Sequence, residues 1–234
     1  MLEPLDDAPA LSDRAYVSIR EAILTLKIRP GQLVAIGDLA DQLGISRTPV
    51  RDALLRLEKE GLVSINPRRG AYATPISAED VAEIFELRIV LEGYAARAAA
   101  PRLTAEDHAQ LRDLLKASEA AFRSGDETRA ADLGRQMHDV LVRAVHNRRL
   151  VAYLENLDSH YTRLRRFAVT LPGRFERSHE QHKAIVAALE RGNGEAAGQI
   201  MEEHLASVSD EVLAHMDMWM PHLEGVGKGK EVAP

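Results

Sequence analysis

The sequence predicts a mainly α-helical chain in two parts, with three helices and a β-hairpin followed by an antiparallel bundle of about six helices. Aromatic residues make up only 4% of the 234 residues and hydrophobic residues make up 45%, a balance typical of helices packed on helices. Apolar residues recur at helical spacing over most of the chain, and β-like runs follow only the third helix. We therefore place the boundary between the two parts near residue 76.

The first helix is predicted by apolar residues at helical spacing, which are Ala15, Ile19, Ala22, Ile23 and Leu26. It must end near Lys27, because Pro30-Gly31 forces a turn. A second short helix is expected over about 37–43, where Gly44 ends it, and Ser46 can cap the third. The apolar face of the third helix consists of Val50, Ala53, Leu54 and Leu57.

Two short β-like runs come after Gly61, which stops the third helix. They comprise residues 62–65 and 71–74, and the basic stretch 66–70 separates them. This pattern predicts a β-hairpin with a basic tip. We therefore predict a winged helix-turn-helix domain over residues 12–76, preceded by a flexible N-terminus of residues 1–11.

From residue 77 onward the pattern is helical throughout. Capping boxes are expected at Ser77…Asp80 and at Thr104…Asp107. Six helices are predicted, over about 78–99, 104–123, 126–146, 148–170, 174–191 and 195–218. These helices define a second domain over residues 77–220, and the Gly- and Lys-containing tail 221–234 is expected to be flexible.

The composition excludes several classes of protein. The chain has no Cys, so it cannot build a disulfide framework or a thiolate metal or redox site. No apolar run approaches the roughly 20 residues that span a bilayer, and we expect a cytoplasmic protein without membrane contact. The net charge of -6 argues at first against a nucleic-acid partner, but residues 12–76 carry ten Lys or Arg and only seven Asp or Glu.

The start of the third helix carries the side chains that a DNA-reading helix needs. Arg47 and Arg51 lie four residues apart on one exposed face, where guanidinium groups can contact guanine or phosphate. The predicted DNA contacts are Ser46, Arg47, Thr48, Arg51, Arg68, Arg69 and Gly70. The alternative is a solvated helix face with an ordinary basic hairpin, but the complete order of elements favours DNA binding.

The run from residue 39 to 54, LADQLGISRTPVRDAL, followed by Leu57-Glu58 and 60–63, resembles the signature of GntR-family transcription regulators. The resemblance implies that Arg47 and Arg51 contact the operator and that Gly70 lies against the minor groove. Gly37 stands where some relatives have a DNA-contacting arginine, which leaves the operator preference open. A homodimer on an inverted-repeat, double-stranded DNA operator is expected, acting as a repressor.

The second half resembles the FCD effector domain of FadR-type GntR regulators. The resemblance is carried by Glu86-Leu87-Arg88, Leu91-Glu92, Met137-His138, Asn147, Leu150, His182-Lys183-Ala184-Ile185 and Met201-Glu202-Glu203-His204-Leu205. It implies a small-molecule effector, commonly an organic acid, that changes DNA affinity allosterically. Arg88 is the predicted carboxylate contact, and an ion pair with Glu92 is the alternative. Arg165 and Arg166 can also point inward.

Three histidines, His138, His182 and His204, lie on different predicted helices that a bundle can bring to one cavity. Three neutral imidazoles suit Zn²⁺ or Ni²⁺ and leave positions for an effector or water. FCD domains that bind metal resemble this arrangement but use an Asp one turn before the first His, where this chain has Gly134. Asp132 lies on another face of the helix, so metal binding stays open at this point.

A three-histidine site also permits a rival function, a metal-dependent enzyme, and His179 can be recruited to such a site. No general base, nucleophile or hydrolase signature is placed near the histidines in sequence. A third possible function is that of a helical adaptor that binds only protein. In that case Arg47 and Arg51 would serve only as solvent-exposed charges. We therefore predict a regulator rather than an enzyme.

Overall fold

A computed structural model describes residues 10–67 and 69–219 of the chain. These residues form two compact units that divide between Ile76 and Ser77. Most of the predicted flexible segment 1–11, the whole of 221–234, and Arg68 lie outside the described residues. The exceptions within the first segment are Ala10, the N-cap residue of the first helix, and Leu11, which is already helical.

The first unit consists of three helices and a β-hairpin, which confirms the predicted winged helix-turn-helix fold. Its elements are α1 (Leu11–Leu24), α2 (Ile36–Leu43), α3 (Arg47–Lys59), β1 (Val63–Asn66) and β2 (Gly70–Ala73). Helix α1 ends before the predicted Lys27, and the chain leaves the helix through Leu26, whose φ is 60°. Gly44 ends α2 in the left-handed conformation, as its position predicts.

Strands β1 and β2 pair antiparallel, with Val63 opposite Ala73 and Asn66 opposite Gly70. A single bridge joins Leu33, from the segment before α2, to Tyr72 of the hairpin. The hairpin is therefore tied to the helical part of the unit as well as to its own partner strand.

The core of the first unit is built mainly from α1 and α3. Ile19 and Ile23 of α1 and Leu54 and Leu57 of α3 are all buried in it. Each such side chain stabilises the fold by roughly 1.5–3 kcal/mol relative to an exposed position. This packing fixes which face of α3 is left for solvent.

The second unit is entirely helical over its described residues, which confirms the predicted helical domain. Its helices are α4 (Ala78–Ala99), α5 (Ala105–Arg123), α6 (Glu127–Ala144), α7 (Arg148–Ala168), α8 (Arg174–Glu190), α9 (Gly194–Ala214) and α10 (Met216–Trp219). The sixth predicted helix is thus interrupted at His215, and α10 is separate. None of the described helices is both long and apolar enough to cross a bilayer.

Both predicted capping boxes are present in the second unit. The Ser77 side chain accepts from the Asp80 amide and the Asp80 side chain accepts from the Ser77 amide, so the start of α4 is fixed reciprocally. Thr104 and Asp107 do the same at the start of α5.

Helix α4 packs most extensively against α9, and small residues allow the close approach. A Cβ atom on Gly194 would lie 2.6 Å from the backbone oxygen of Arg97. The Arg97 guanidinium also joins the two helices through ion pairs with Glu195 at 3.0 Å and Glu202 at 2.6 Å. The start of α9 therefore has no room for a side chain at residue 194.

Candidate functional sites: an exposed basic helix end and a buried histidine cavity

The N-terminal end of α3 presents polar side chains to solvent. Ser46, Arg47, Thr48 and Arg51 are exposed, whereas Val50 on the opposite face is fully buried. Among the described residues neither arginine has a hydrogen-bond or ion-pair partner. The two guanidinium groups are thus free to bind an external anion or a base edge.

Ser46 occupies the N-cap position of α3 with an extended backbone, but its side chain makes no capping hydrogen bond. The predicted side-chain cap at this residue is therefore wrong. The first N–H groups of a helix have no acceptor within the helix, and here the Ser46 side chain does not accept a hydrogen bond from them. Amides at a helix N-terminus are well suited to phosphate oxygens, so the missing cap is compatible with an anion-binding role.

Arg47 lies beside Gly37 of α2. A Cβ atom added to Gly37 would be 3.7 Å from Nη2 of Arg47, which is ordinary van der Waals contact. Gly37 has no side chain and therefore supplies no charge here. The guanidinium of Arg47 provides the positive charge next to this position of α2.

The tip of the hairpin is held by short-range hydrogen bonds. The Arg69 amide donates to the Asn66 oxygen at 3.1 Å, and the Tyr72 hydroxyl donates to the Arg69 oxygen at 2.9 Å. Gly70 has a φ of 100°, which favours glycine, and both Arg69 and Gly70 are exposed. Of the predicted wing residues, Arg68 lies outside the described part of the chain.

The second unit brings the three predicted histidines together. His138 of α6, His182 of α8 and His204 of α9 are all buried. The Nε2 atom of His182 lies 3.1 Å from Nε2 of His138 and 3.3 Å from Nε2 of His204. Three separate helices thus contribute one imidazole each to a single point.

In two of the three histidines, polar side chains hold the other ring nitrogen. Nδ1 of His138 lies 2.6 Å from Oε2 of Glu92, and Nδ1 of His204 lies 2.9 Å from Oε1 of Gln181. These contacts direct the Nε2 atoms of His138 and His204 toward His182. Burial, followed by the neighbouring imidazoles, holds the pKa values of His182 and His204 well below their ordinary range, so both rings are neutral near pH 7.

Glu92 carries a charge inside the bundle. Burial alone would raise the pKa of its carboxyl, but Arg88 and His138 outweigh this and hold that pKa well below its usual range. Oε1 of Glu92 lies 2.5 Å from Nη2 of Arg88. The result is an ionised carboxylate fixed between a guanidinium and an imidazole.

Arg88, the predicted effector contact, is fully buried and does not line the cavity described below. Its guanidinium lies 3.6 Å from the centre of the Tyr161 ring and pairs with Glu92. The structure therefore contains the ion pair between Arg88 and Glu92 that the sequence analysis gave as the alternative to an effector contact. Arg88 reaches the histidines only through Glu92.

The geometry of the cluster fits a divalent ion. Two nitrogen ligands bound to one tetrahedral Zn²⁺ at about 2.0–2.1 Å are roughly 3.3 Å apart, close to the two separations between Nε2 atoms. A Cβ atom on Gly134 would lie 3.0 Å from Cε1 of His182, so residue 134 borders the cluster but supplies no ligand. Asp132 is engaged elsewhere, by Arg165 at 2.6 Å and Arg166 at 3.2 Å.

A cavity adjoins the histidines between the helices of the second unit. Its volume is about 70 Å³. Its lining includes the three histidines, Gly134, Arg135, Arg165, Arg174 and His179. His179 lies outside the three-histidine cluster and stacks on Phe175. A small ligand in this cavity would meet both imidazole and guanidinium groups.

Two family models match the chain. The model of bacterial regulatory proteins of the gntR family matches residues 11–72, and the FCD domain model matches residues 83–207. The uncharacterized HTH-type transcriptional regulator YdhC of Bacillus subtilis is 32% identical over 220 residues, which is 92% of each chain. The chain belongs to the GntR family. This GntR regulator carries an FCD domain, and domains of this kind bind small-molecule effectors.

Further relatives are also regulators. The Nta operon transcriptional regulator of Aminobacter aminovorans is 34% identical over 188 residues, covering 79% of this chain and 86% of its own. The solved structure of E. coli McbR/YncC has a TM-score of 0.73 at 23% identity, covering 89% of this chain and 99% of its own, and shows the same fold. None of these comparisons supports the rival reading of a metal-dependent enzyme.

Sequence reasoning identified the three histidines and the possible ion pair of Glu92 with Arg88, but it missed the contact of Glu92 with His138, the role of Gln181 and the cavity position of Arg135. The signal for Glu92 was its position one turn after Arg88 in a segment that is otherwise mostly apolar. Nothing in the local pattern connects Glu92 with His138, because the two residues meet only across α4 and α6.

Proposed function

We propose that this GntR regulator binds a double-stranded operator by inserting the first turn of α3 into the major groove. The observation that carries the proposal is the exposure of Arg47 and Arg51 beside an N-terminus whose cap residue makes no side-chain bond. The proposed contacts are Ser46, Arg47, Thr48, Arg51, Arg68, Arg69 and Gly70. The α3 residues read bases and phosphates, and the wing residues contact the minor groove or the flanking backbone.

The test measures binding of the full chain to labelled DNA flanking its own gene, by fluorescence anisotropy and footprinting. Arg51→Ala should abolish specific binding and leave the helical circular dichroism unchanged. Lys59→Ala, in the last turn of the same helix, is the matched control and should bind as the wild type does. Affinity should fall steeply with salt, with a slope of about -0.9 per phosphate contact. A native footprint from Arg51→Ala, or a flat salt response, contradicts the proposal.

The regulator is proposed to act as a repressor and a homodimer on an inverted repeat. Support for repression comes from the relative named as the HTH-type transcriptional repressor RspR of E. coli, 27% identical over 208 residues, or 89% of this chain and 91% of its own. Support for a dimer comes from Leu87, Val90 and Tyr94, which are exposed on α4 at a spacing of one helical face. Val90→Glu should convert a dimer to monomers in size-exclusion chromatography with light scattering, while Val17→Glu, an exposed control on α1, should not.

The effector site is proposed to be the histidine cavity, with His138, His182 and His204 holding Zn²⁺ or Ni²⁺. Such an ion acts as a Lewis acid that binds carboxylate oxygen, and this chemistry suits an organic-acid effector. The residues of the chain orient the imidazoles, exclude bulk water and supply guanidinium groups for a second contact. Metal analysis and native mass spectrometry of the purified protein test this proposal directly. Protein that takes up neither ion after dialysis against Zn²⁺ or Ni²⁺ contradicts it.

A further inference from the structure

Helix α3 carries an acidic side chain on the same side as the arginines proposed to meet DNA. Glu58 follows Arg51 by seven residues, which is about 20° short of two full helical turns, so the two exposed side chains project in nearly the same direction. They are separated by roughly 10 Å along the helix axis, about one Debye length at 0.1 M salt. The carboxylate therefore opposes phosphate binding unless it contributes something else.

The Glu58 carboxylate has a defined partner in the hairpin. Its Oε1 atom accepts a hydrogen bond from the Ile65 amide of β1 at 3.1 Å. The Ile65 side chain packs against the core of the first unit. Because a main-chain N–H is the donor, the contact holds the strand itself beside the C-terminal half of α3.

The two strands of the hairpin are held to the helices in different ways. Strand β2 is bonded through its backbone to the segment before α2, where the Val34 amide donates to the Ala71 oxygen at 2.7 Å. Strand β1 is tied to α3 just before its start, where the Leu62 amide donates to the Leu57 oxygen at 2.9 Å. Further along β1 the strand is held to α3 by a side chain, that of Glu58.

Ile65 lies next to the tip of the hairpin. It is followed by Asn66, whose oxygen accepts from the Arg69 amide at 3.1 Å, and Gly70 comes directly after Arg69. A short series of contacts thus runs from α3 through β1 to the exposed tip. Movement of β1 at Ile65 would displace the tip relative to Arg51.

We infer that Glu58 is a positioning residue for the wing, whose carboxylate holds β1 at Ile65 and so sets the distance between the hairpin tip and the DNA-facing side of α3. The inference rests on the proposed operator binding and adds to it a residue that acts without touching DNA. A helix and a wing that contact DNA together need a fixed spacing, because ordering a mobile tip on binding costs conformational entropy.

The experiment measures binding of the full chain to DNA flanking its own gene, by fluorescence anisotropy over a range of salt concentrations. Glu58→Gln is the matched control, because it keeps an oxygen acceptor for the Ile65 amide and removes only the charge. It should bind as tightly as the wild type or more tightly. Glu58→Ala removes the acceptor as well and should bind at least about fivefold more weakly than Glu58→Gln, the change that corresponds to one hydrogen bond. Its salt slope should also fall, by about 0.9 for each phosphate contact that the wing loses.

A double-mutant cycle tests whether Glu58 acts through the wing. In a chain that already carries Arg68→Ala and Arg69→Ala, Glu58→Ala should cause much less further loss than in the wild type. Losses that add in full overturn the positioning role. The same holds for equal affinities of Glu58→Gln and Glu58→Ala. A loss confined to operators with one particular cytosine would show that the carboxylate reads that base directly, which also contradicts the inference.

Amide hydrogen exchange followed by NMR tests the contact without DNA. The Ile65 amide should exchange faster in Glu58→Ala than in the wild type and Glu58→Gln, while the Leu57 amide within α3 keeps its protection. Equal exchange at Ile65 in all three proteins overturns this inference alone, whereas a wild type without specific operator binding overturns the proposed function as well. Should Glu58→Ala unfold the first unit, Glu58→Met keeps the length of the side chain without a strong acceptor and should show the same loss of affinity.

Discussion

The Nδ1 atom of His138 lies 2.6 Å from a carboxylate oxygen of Glu92, although the two residues are on different helices. The same carboxylate pairs with Arg88 through its other oxygen. The contact fixes the Nδ1 proton on His138 and leaves Nε2 as a lone-pair donor toward His182. Glu92 is therefore a positioning residue for the histidine cluster.

Glu92→Gln should weaken Zn²⁺ or Ni²⁺ binding by about 10–100-fold. The Gln amide would orient His138 less strongly and would lack the negative charge of the Glu92 carboxylate. The affinity is measured by competition with a chelating dye. Co²⁺ absorption of the loaded protein reports whether the ligand geometry has changed. Glu86→Gln, an exposed position on the same helix, serves as control and should leave both readouts unaltered. Unchanged metal affinity in Glu92→Gln contradicts the positioning role.

His204→Ala should abolish stabilisation of the protein by metal. An ion that binds only the folded state at 100 times its Kd adds about 2.7 kcal/mol to the free energy of unfolding. Wild-type protein should therefore melt at a higher temperature with Zn²⁺ than with a chelator, and the variant should not. His146→Asn is a suitable control, since His146 is exposed and its φ of 56° is tolerated by Asn. Equal metal stabilisation in His204→Ala would remove this residue from the ligand set.

Gly194→Ala should destabilise the second unit by about 1–3 kcal/mol, because the added Cβ would meet the Arg97 backbone oxygen at 2.6 Å. Chemical denaturation monitored by circular dichroism measures the loss. Gly37→Ala is the contrasting substitution within α2, where the nearest atom to the new Cβ is 3.7 Å away. It should leave stability unchanged or raise it by about 0.5–1 kcal/mol, since alanine is the better helix former. The reverse order of the two stabilities would refute the close-approach argument.

Gly70→Ala should lower operator affinity while the helices of the first unit stay folded. A φ of 100° costs a side-chain-bearing residue about 1–3 kcal/mol, and the Cβ would also lie 3.2 Å from Cδ1 of Leu33. The hairpin tip should rearrange to relieve this strain. Ser64→Ala, exposed on β1, tests whether any hairpin change has the same effect. Anisotropy titrations in which both variants match the wild type would argue against a wing contact at Gly70.

Much of the fold followed from local pattern. The capping boxes at Ser77 and Thr104 depend on residues three apart, and the apolar face of α3 depends on helical periodicity. Both predictions were correct because the interactions that determine them involve only residues close together in the sequence. The predicted Ser46 cap is absent although the residue type and position were right, because the χ1 rotamer of a serine decides whether its oxygen reaches the helix amides, and sequence does not fix that rotamer.

The effector region was less accessible to sequence reasoning. Arg88 and Arg165 both lie on predicted helices, and the sequence pattern does not show which of them reaches the cavity. Their surroundings differ because Arg88 pairs with Glu92 and lies over the Tyr161 ring, away from the cavity, whereas Arg165 pairs with Asp132 and lines the cavity. Such differences come from contacts between helices distant in sequence, which periodicity does not encode.

The three histidines come from α6, α8 and α9, so one shared ion would cross-link residues that are 66 positions apart in a chain without cysteine. Unfolding of the bundle would then have to break coordination bonds before the helices separate. Loss of the ion would shorten the lifetime of the folded domain, and the regulator would become a substrate for proteases. Cellular abundance of the protein would in this way follow the supply of metal.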